Sequence, residues 1–307
     1  LPPVFIAQSE FNMQSRKYKV FFAFFPYGGN GGSPSEHPAV RTWFAKTLLT
    51  LKENPLVHDF CWKDFDDTPI TMTRNQAVLA ARQVKADILV MIDSDMIPDL
   101  YLLGGDYSKS GHAVGAKPFL PQAIDLIDQY YETGPVIVAA PYCGPPPDES
   151  PYVFVWEESP SEAATPDLKL RMMTRTEASM RTGVSSAAAL PTGLIAFDVR
   201  AFKYTEPQEG GRGWFYYEFD DHYHAAKGGT EDVMATRDLS LAIQTKLGYN
   251  PLKVTWDSWA GHMKPRVVGK PTLTYASSVD ARYRKAIEEG ANHNERIVEI
   301  GELQPRV

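Results

Sequence analysis

Two carboxylates stand within the stretch "ADILVMIDSDMIPD" (86–99): Asp93 and Asp95 follow the apolar residues Ile88 to Ile92, with only Ser94 between them. An isolated carboxylate at the end of a buried strand is costly unless it is solvated, paired or bound to a cation. Mg²⁺ and Mn²⁺ take hard oxygen ligands in octahedral geometry, usually one or two carboxylates with phosphate oxygens and water completing the set. Two acids on a strand-end turn suit that chemistry. D-x-D is also a frequent chance pattern, and a turn or helix cap is the plainer role for either Asp.

Three further groups carry chemistry. In "TRNQA", Arg74 and Asn75 stand at the start of a helix, where unpaired N–H groups and the helix dipole attract anions and a guanidinium can grip phosphate. A surface Arg beside a capping Asn is the alternative. "GGTEDV" puts Glu231 and Asp232 in the first turn of another helix, a place the dipole favours for acids on structural grounds alone. A carboxylate there can also take a proton from a hydroxyl whose own pKa is far above 7. "WDSWAGHMKP" sets His262 and Lys264 just past a strand, as a third metal ligand beside a phosphate-pairing lysine; a lone histidine is otherwise more often structural.

The elements that must position these groups follow from periodicity. "YKVFFAFFP" (18–26) reads as a buried strand, and "YGGNGGSPSEHP" (27–38) as a glycine-rich loop able to cradle phosphate. Val40, Trp43, Phe44, Leu48 and Leu51 fall at helical spacing. "LVHDFCWKDF" (56–65) is a second strand, and a helix over 71–86 follows, capped by Thr71 or Thr73, with Ala77, Val78, Ala81 and Val84 on one face. Strand, helix, strand, helix, strand in the first 95 residues marks a parallel sheet wrapped by crossovers, whose ligands bind at the carboxyl ends of the strands. Downstream, 121–134 reads as a helix, 135–143 as a strand, 144–168 as a proline-rich hairpin or flap, and 189–202 as a strand. A helix over 230–248 closed by Gly248, a strand over 250–259 and a helical tail complete the chain. The small-residue segment 104–118 suits a mobile lid, and the aromatic stretch 213–224 either an acceptor-stacking wall or a buried hairpin.

At 307 residues, 43% hydrophobic and 22% charged, the chain is of ordinary globular composition, with room for one large domain or two small ones. A net charge of −7 argues against a broad grip on nucleic acid. Cys61 and Cys143 are too few for a disulfide framework and lack zinc-ligand spacing. The run "VFFAFF" (20–25) is far too short for a bilayer, and no basic segment with a cleavage site precedes it. The expectation is a cytosolic protein without a membrane partner.

The order of these motifs, from the "RN" helix through "DSD", "PTGLIAFD" and "GGTEDV" to "AGHMK", resembles GT-A-fold glycosyltransferases of the family-2-like kind found in bacteria and bacteriophages. The resemblance spans 18–266. It implies an α/β fold: a Rossmann-like, mostly parallel sheet flanked by helices, with a nucleotide-binding half (18–105), an acceptor half (106–266) and a helical extension (267–307). It further implies a Mn²⁺ or Mg²⁺ ion on Asp95, with Asp93 near the metal or ribose and His262 completing the set. Pro26, Tyr27, Arg74, Asn75, Asp93, Ser94 and Lys264 would line a nucleotide-sugar donor, most readily a UDP-sugar. Asp232 would be the general base of an inverting transfer, with Glu231 beside it. The acceptor is a hydroxyl of a glycan, a protein or a modified nucleobase. The alternatives are a sugar-nucleotide nucleotidyltransferase, which normally carries a basic glycine-rich loop after the first strand, and a non-catalytic glycan- or protein-binding domain.

Overall fold

Side chains alternate across a strand, so the central strands show which elements cover each face of the sheet. On one face, Phe21, Ala23 and Phe25 of β1 (Tyr18–Phe25) pack with Leu89 and Met91, against Ala77, Val78 and Ala81 of one helix and Ala235, Leu239 and Ile243 of another. On the other, Val20, Phe22 and Phe24 join Ile88, Val90 and Ile92 against Val40, Trp43 and Phe44 and against Phe119 to Ile127. A strand covered on both faces reads as a continuous apolar run, which accounts for "VFFAFF". The computed structural model describes residues 16–26, 36–65, 69–145, 149–159, 167–209, 211–217, 230–263 and 267–268.

After β1 come α1 (Pro38–Leu51), β2 (Val57–Asp64), α2 (Ile70–Gln83), β3 (Ile88–Asp93) and β4 (Met96–Ile97). They are followed by α3 (Phe119–Gln129), β5 (Ile137–Ala139), β6 (Phe154–Ser159), β7 (Asp167–Met172), α4 (Arg175–Ser179) and β8 (Val184–Ser186). The last elements are β9 (Leu194–Asp198), α5 (Glu231–Leu247), β10 (Leu252–Thr255), β11 (Gly261–Met263) and β12 (Val267–Val268). The main sheet has seven strands in the order β2-β1-β3-β9-β5-β10-β8. β9 and β8 run against the other five, so the sheet is mixed but mostly parallel, as the crossover pattern predicts. The chain leaves β1 for β2 on one side and returns to β3 on the other, with α1 and α2 on opposite faces. The topology therefore switches at β1 and β3, whose carboxyl ends are where sheets of this kind bind ligands.

Several expectations shift in detail. α2 starts at Ile70 behind Pro69, with no side-chain cap; the Thr73 hydroxyl donates back to the Ile70 carbonyl (3.1 Å), so neither Thr71 nor Thr73 is the cap. Val84 ends up 36% exposed because the helix closes before it. The proline-rich insertion is the antiparallel β6–β7 hairpin. Segment 104–118 is a run of 3-10 turns with Gly104, Gly105 and Gly115 at positive φ, tied at its ends by Leu100 N–H to the Trp259 carbonyl (3.1 Å) and Lys117 N–H to the Asp257 carbonyl (2.9 Å). Gly248 closes α5 at φ 76°. Tyr27, Lys264, the loop 27–35, residues 218–224 of the aromatic stretch and 269–307 of the extension lie outside the described residues. Among the described residues no helix is long and apolar enough to cross a membrane.

Candidate active site

The D-S-D turn is held by its backbone from three directions. Asp93 N–H donates to the Gly193 carbonyl (2.9 Å), the Ser94 carbonyl accepts from His37 N–H at the start of α1 (2.7 Å), and the Asp95 carbonyl accepts from Met263 N–H (2.7 Å). A second small sheet, β12-β11-β4, then pairs His262 with Met96 and Gly261 with Ile97. This short ladder brings the late histidine to the early acid: His262 Nε2 lies 3.2 Å from Asp95 Oδ2.

The other ring nitrogen fixes what that contact means. His262 Nδ1 is 2.8 Å from the Cys143 carbonyl, which can only accept, so Nδ1 carries the proton. In the neutral ring Nε2 is then a lone pair aimed at a carboxylate oxygen, and two acceptors face each other unless a proton or a cation stands between them. A histidine whose far nitrogen is fixed by a backbone carbonyl is the usual arrangement of a metal ligand. The ring is 6% exposed and packed edge-on by Tyr142 and Tyr152, with centroids at 5.1 and 6.2 Å. Tyr142 in turn needs Gly193, because a Cβ there would lie 2.7 Å from its ring and hydroxyl. Gly193 N–H donates to that hydroxyl at 3.2 Å.

Arg74 departs from its expected setting. α2 begins four residues earlier, so Arg74 lies a full turn inside the helix, away from its unpaired N–H groups, and its side chain is buried. Nη2 reaches both oxygens of Asp93 at 3.1 Å, and Nε lies 3.4 Å from Glu231 Oε1. Burial opposes its charge, but Asp93, Glu231 and Asp232 outweigh it and hold the guanidinium protonated. Asp93 is pushed up to about 6 by burial, with Arg74 pulling down and Asp95, Asp232 and Glu231 pushing further up. Asn75 is spent on structure as well. Its Nδ2 donates to the Thr71 and Phe215 carbonyls (2.7 and 2.9 Å) and its Oδ1 accepts from Phe215 N–H (3.1 Å), clamping the 213–215 loop to α2. Both amide donors are occupied, so Asn75 has none left for a nucleotide.

The acid pair at the head of α5 divides its labour. Glu231 is 5% exposed, faces Arg74 and is hydrogen-bonded by Tyr217. Asp232 is more open: Oδ1 accepts from Val233 N–H (2.8 Å) and the Thr230 hydroxyl, while among the described residues Oδ2 meets only a long contact from Thr192 N–H (3.4 Å). Pro26 ends β1 at the same rim. Tyr142, Tyr152 and Thr192 were not among the expected site residues; the glycine in "PTG" before an apolar run was the local signal for a close approach at β9.

Among the described residues, Asp93, Asp95, Glu231 and Asp232 thus set four carboxylates against the Arg74 guanidinium. The donor set fits a divalent cation: a hard oxygen from Asp95, an oriented imidazole and excess negative charge. Among the described residues no three His, Cys, Asp or Glu side chains converge to cage a metal unaided, so its other ligands would come from a bound molecule and water.

No protein-family model and no curated protein matches the chain. Among solved structures it is similar to A197 from STIV, with a TM-score of 0.42 and 9% identity over 83% of this chain and 95% of that one. It is also similar to UDP-glucose pyrophosphorylase, apo (TM-score 0.36, 11% identity) and complexed with UDP-glucose (0.37, 12%), each over 88% of this chain and 99% of the other. Likenesses at these scores carry no argument about chemistry.

Proposed function

We propose that this chain is a divalent-metal-dependent glycosyltransferase that moves a sugar from a nucleotide-sugar donor, most readily a UDP-sugar, to a hydroxyl acceptor. The observation that carries it is the His262 imidazole, fixed by the Cys143 carbonyl so that Nε2 faces Asp95 beyond the carboxyl ends of parallel strands. Asp95 and His262 would hold Mn²⁺ or Mg²⁺, whose chemistry is to neutralise a departing diphosphate. In this reading residues 18–105 serve the nucleotide and 106–266 the acceptor, except that His262 and Lys264 reach back to the donor side, where Lys264 pairs with phosphate.

The chain's own residues supply the rest. Asp232 Oδ2 takes the acceptor's proton as the acceptor oxygen bonds to the anomeric carbon; the carbon–oxygen bond to the diphosphate breaks, and its electron pair leaves with the phosphate. Glu231, buried against Arg74, is not placed for that transfer and anchors the head of α5 instead.

A thermal-shift panel of UDP-, GDP-, dTDP- and CMP-sugars with and without Mn²⁺ tests the reading. One nucleotide class should stabilise the protein only with metal, by about 2.7 kcal/mol at a hundredfold excess over Kd. No metal-dependent shift with any donor overturns it. Release of pyrophosphate from UTP and a sugar phosphate, in place of free UDP from a UDP-sugar, would make the protein a nucleotidyltransferase.

A further inference from the structure

We infer that Arg74 is a built-in electrostatic competitor of the divalent cation: paired with both oxygens of Asp93, it keeps affinity for the free ion low until a diphosphate supplies compensating negative charge. The inference rests on the proposed cation site at Asp95 and His262. A guanidinium that bound diphosphate directly would have to present its donors to an incoming ligand. Arg74 is instead 4% exposed and turned onto protein acids, touching both oxygens of Asp93 at 3.1 Å and approaching Glu231 at 3.4 Å. Its Nη1 and Nε have no hydrogen-bond partner among the described residues, so it neutralises the cluster without being fully satisfied by it. Burying such a group is expensive, and an uncompensated acid cluster is more so.

The Asp93 side chain is 26% exposed at the carboxyl end of β3, so one carboxylate is open to an incoming cation as well as paired with a resident one. Two cations on one carboxylate repel. The resident charge therefore weakens binding of the free metal and favours binding of a metal–diphosphate complex, whose phosphates offset it. Arg74 becomes the residue that makes metal and nucleotide bind together rather than separately.

The test is isothermal titration of Mn²⁺ alone, of UDP alone, and of Mn²⁺ in the presence of UDP, at about pH 8, for wild type, Arg74→Met, Arg74→Lys and Glu231→Gln. Circular dichroism confirms that each variant is folded. In wild type UDP should tighten Mn²⁺ binding. Arg74→Met should bind free Mn²⁺ roughly tenfold tighter, the direction set by removing one nearby positive charge, and should lose much of the UDP effect. Arg74→Lys keeps the charge without the fork and should fall between the two. Glu231→Gln removes the second anion on Arg74 and should weaken free Mn²⁺ binding, opposite in sign to Arg74→Met. Unchanged or weaker Mn²⁺ affinity in Arg74→Met, with a loss of UDP affinity, would make Arg74 a diphosphate ligand and overturn the inference. If Arg74→Met does not fold, Glu231→Gln decides: unchanged or tighter Mn²⁺ binding overturns it. Wild type that binds neither Mn²⁺ nor UDP–Mn²⁺ sinks the glycosyltransferase reading itself, a separate and recognisable result.

Discussion

His262→Phe separates the hydrogen-bonding role that the structure gives this ring from the metal role proposed for it. Phenylalanine keeps a flat ring for the edge-on contacts with Tyr142 and Tyr152, so packing changes little. It deletes both nitrogens. Losing Nδ1 strips the Cys143 carbonyl of its 2.8 Å donor, on a residue with no solvent exposure. A buried acceptor left without a partner costs about 1–3 kcal/mol. For a chain of this size each kcal/mol lowers Tm by about 2–4 °C, so the variant should melt several degrees below wild type. Losing Nε2 removes the nitrogen ligand proposed for the cation site. Disturbing even the groups that orient metal ligands costs about 10–100-fold in affinity, so Mn²⁺ binding should fall by at least that much. Differential scanning fluorimetry reads the first effect and calorimetric Mn²⁺ titration the second. A variant that melts lower yet binds Mn²⁺ with wild-type affinity would refute the metal role and leave His262 as a buried hydrogen-bond donor.

Two further outcomes follow from the geometry. Asp232→Asn, assayed at saturating Mn²⁺ and donor, should lower kcat by about a hundredfold or more, the usual scale for a lost general base, beyond the weaker Mn²⁺ binding that loss of one clustered charge brings; a product that retains the donor's anomeric configuration by NMR would remove that role. Asp99 is pushed up to about 6 by burial, against the opposing pull of donors from Phe119 N–H (2.8 Å) and Trp43 Nε1 (2.7 Å). Its carboxyl therefore binds a proton more tightly in the native state than in the unfolded chain, and its contribution to stability is present below about pH 4 and lost as pH rises to about 6, by up to about 3 kcal/mol. Urea melts at about pH 4.5 and 6.5 should show a flatter pH dependence in Asp99→Asn than in wild type, and equal slopes would contradict the assignment.

Long elements were legible because their periodicity is local. The run Ile88–Ile92 and the spacing of Val40, Trp43, Phe44 and Leu51 needed no tertiary information to be read as a buried strand and an amphipathic helix, and both are found so. The short elements that build the site were not legible. β4 has two residues and β11 three, too few for any period, and they pair across more than 160 positions of chain. Yet that ladder is what turns two unrelated weak motifs, D-S-D and G-H, into one candidate centre. Glu231 and Asp232 show the same limit. Adjacent acids at a helix head look alike in sequence, and only the buried guanidinium next to Glu231 tells them apart.

Arg74 is the instructive case, because its fate was written in a spacing already in view. Ala77, Val78 and Ala81 define the buried face of α2, and Arg74 stands three, four and seven positions before them, on the same face. An arginine on an apolar helical stripe must find acids or be excluded from the core. The acids nearest in the fold are those that end β3 and begin α5, the two places where a carboxylate also has a chemical use. One buried cation thereby ties the strand end proposed for the donor to the helix head proposed for the acceptor. In the reading advanced above, Arg74 holds both halves of the site at fixed charge and spacing, and its charge beside Asp93 opposes that of the metal ion proposed for Asp95 and His262.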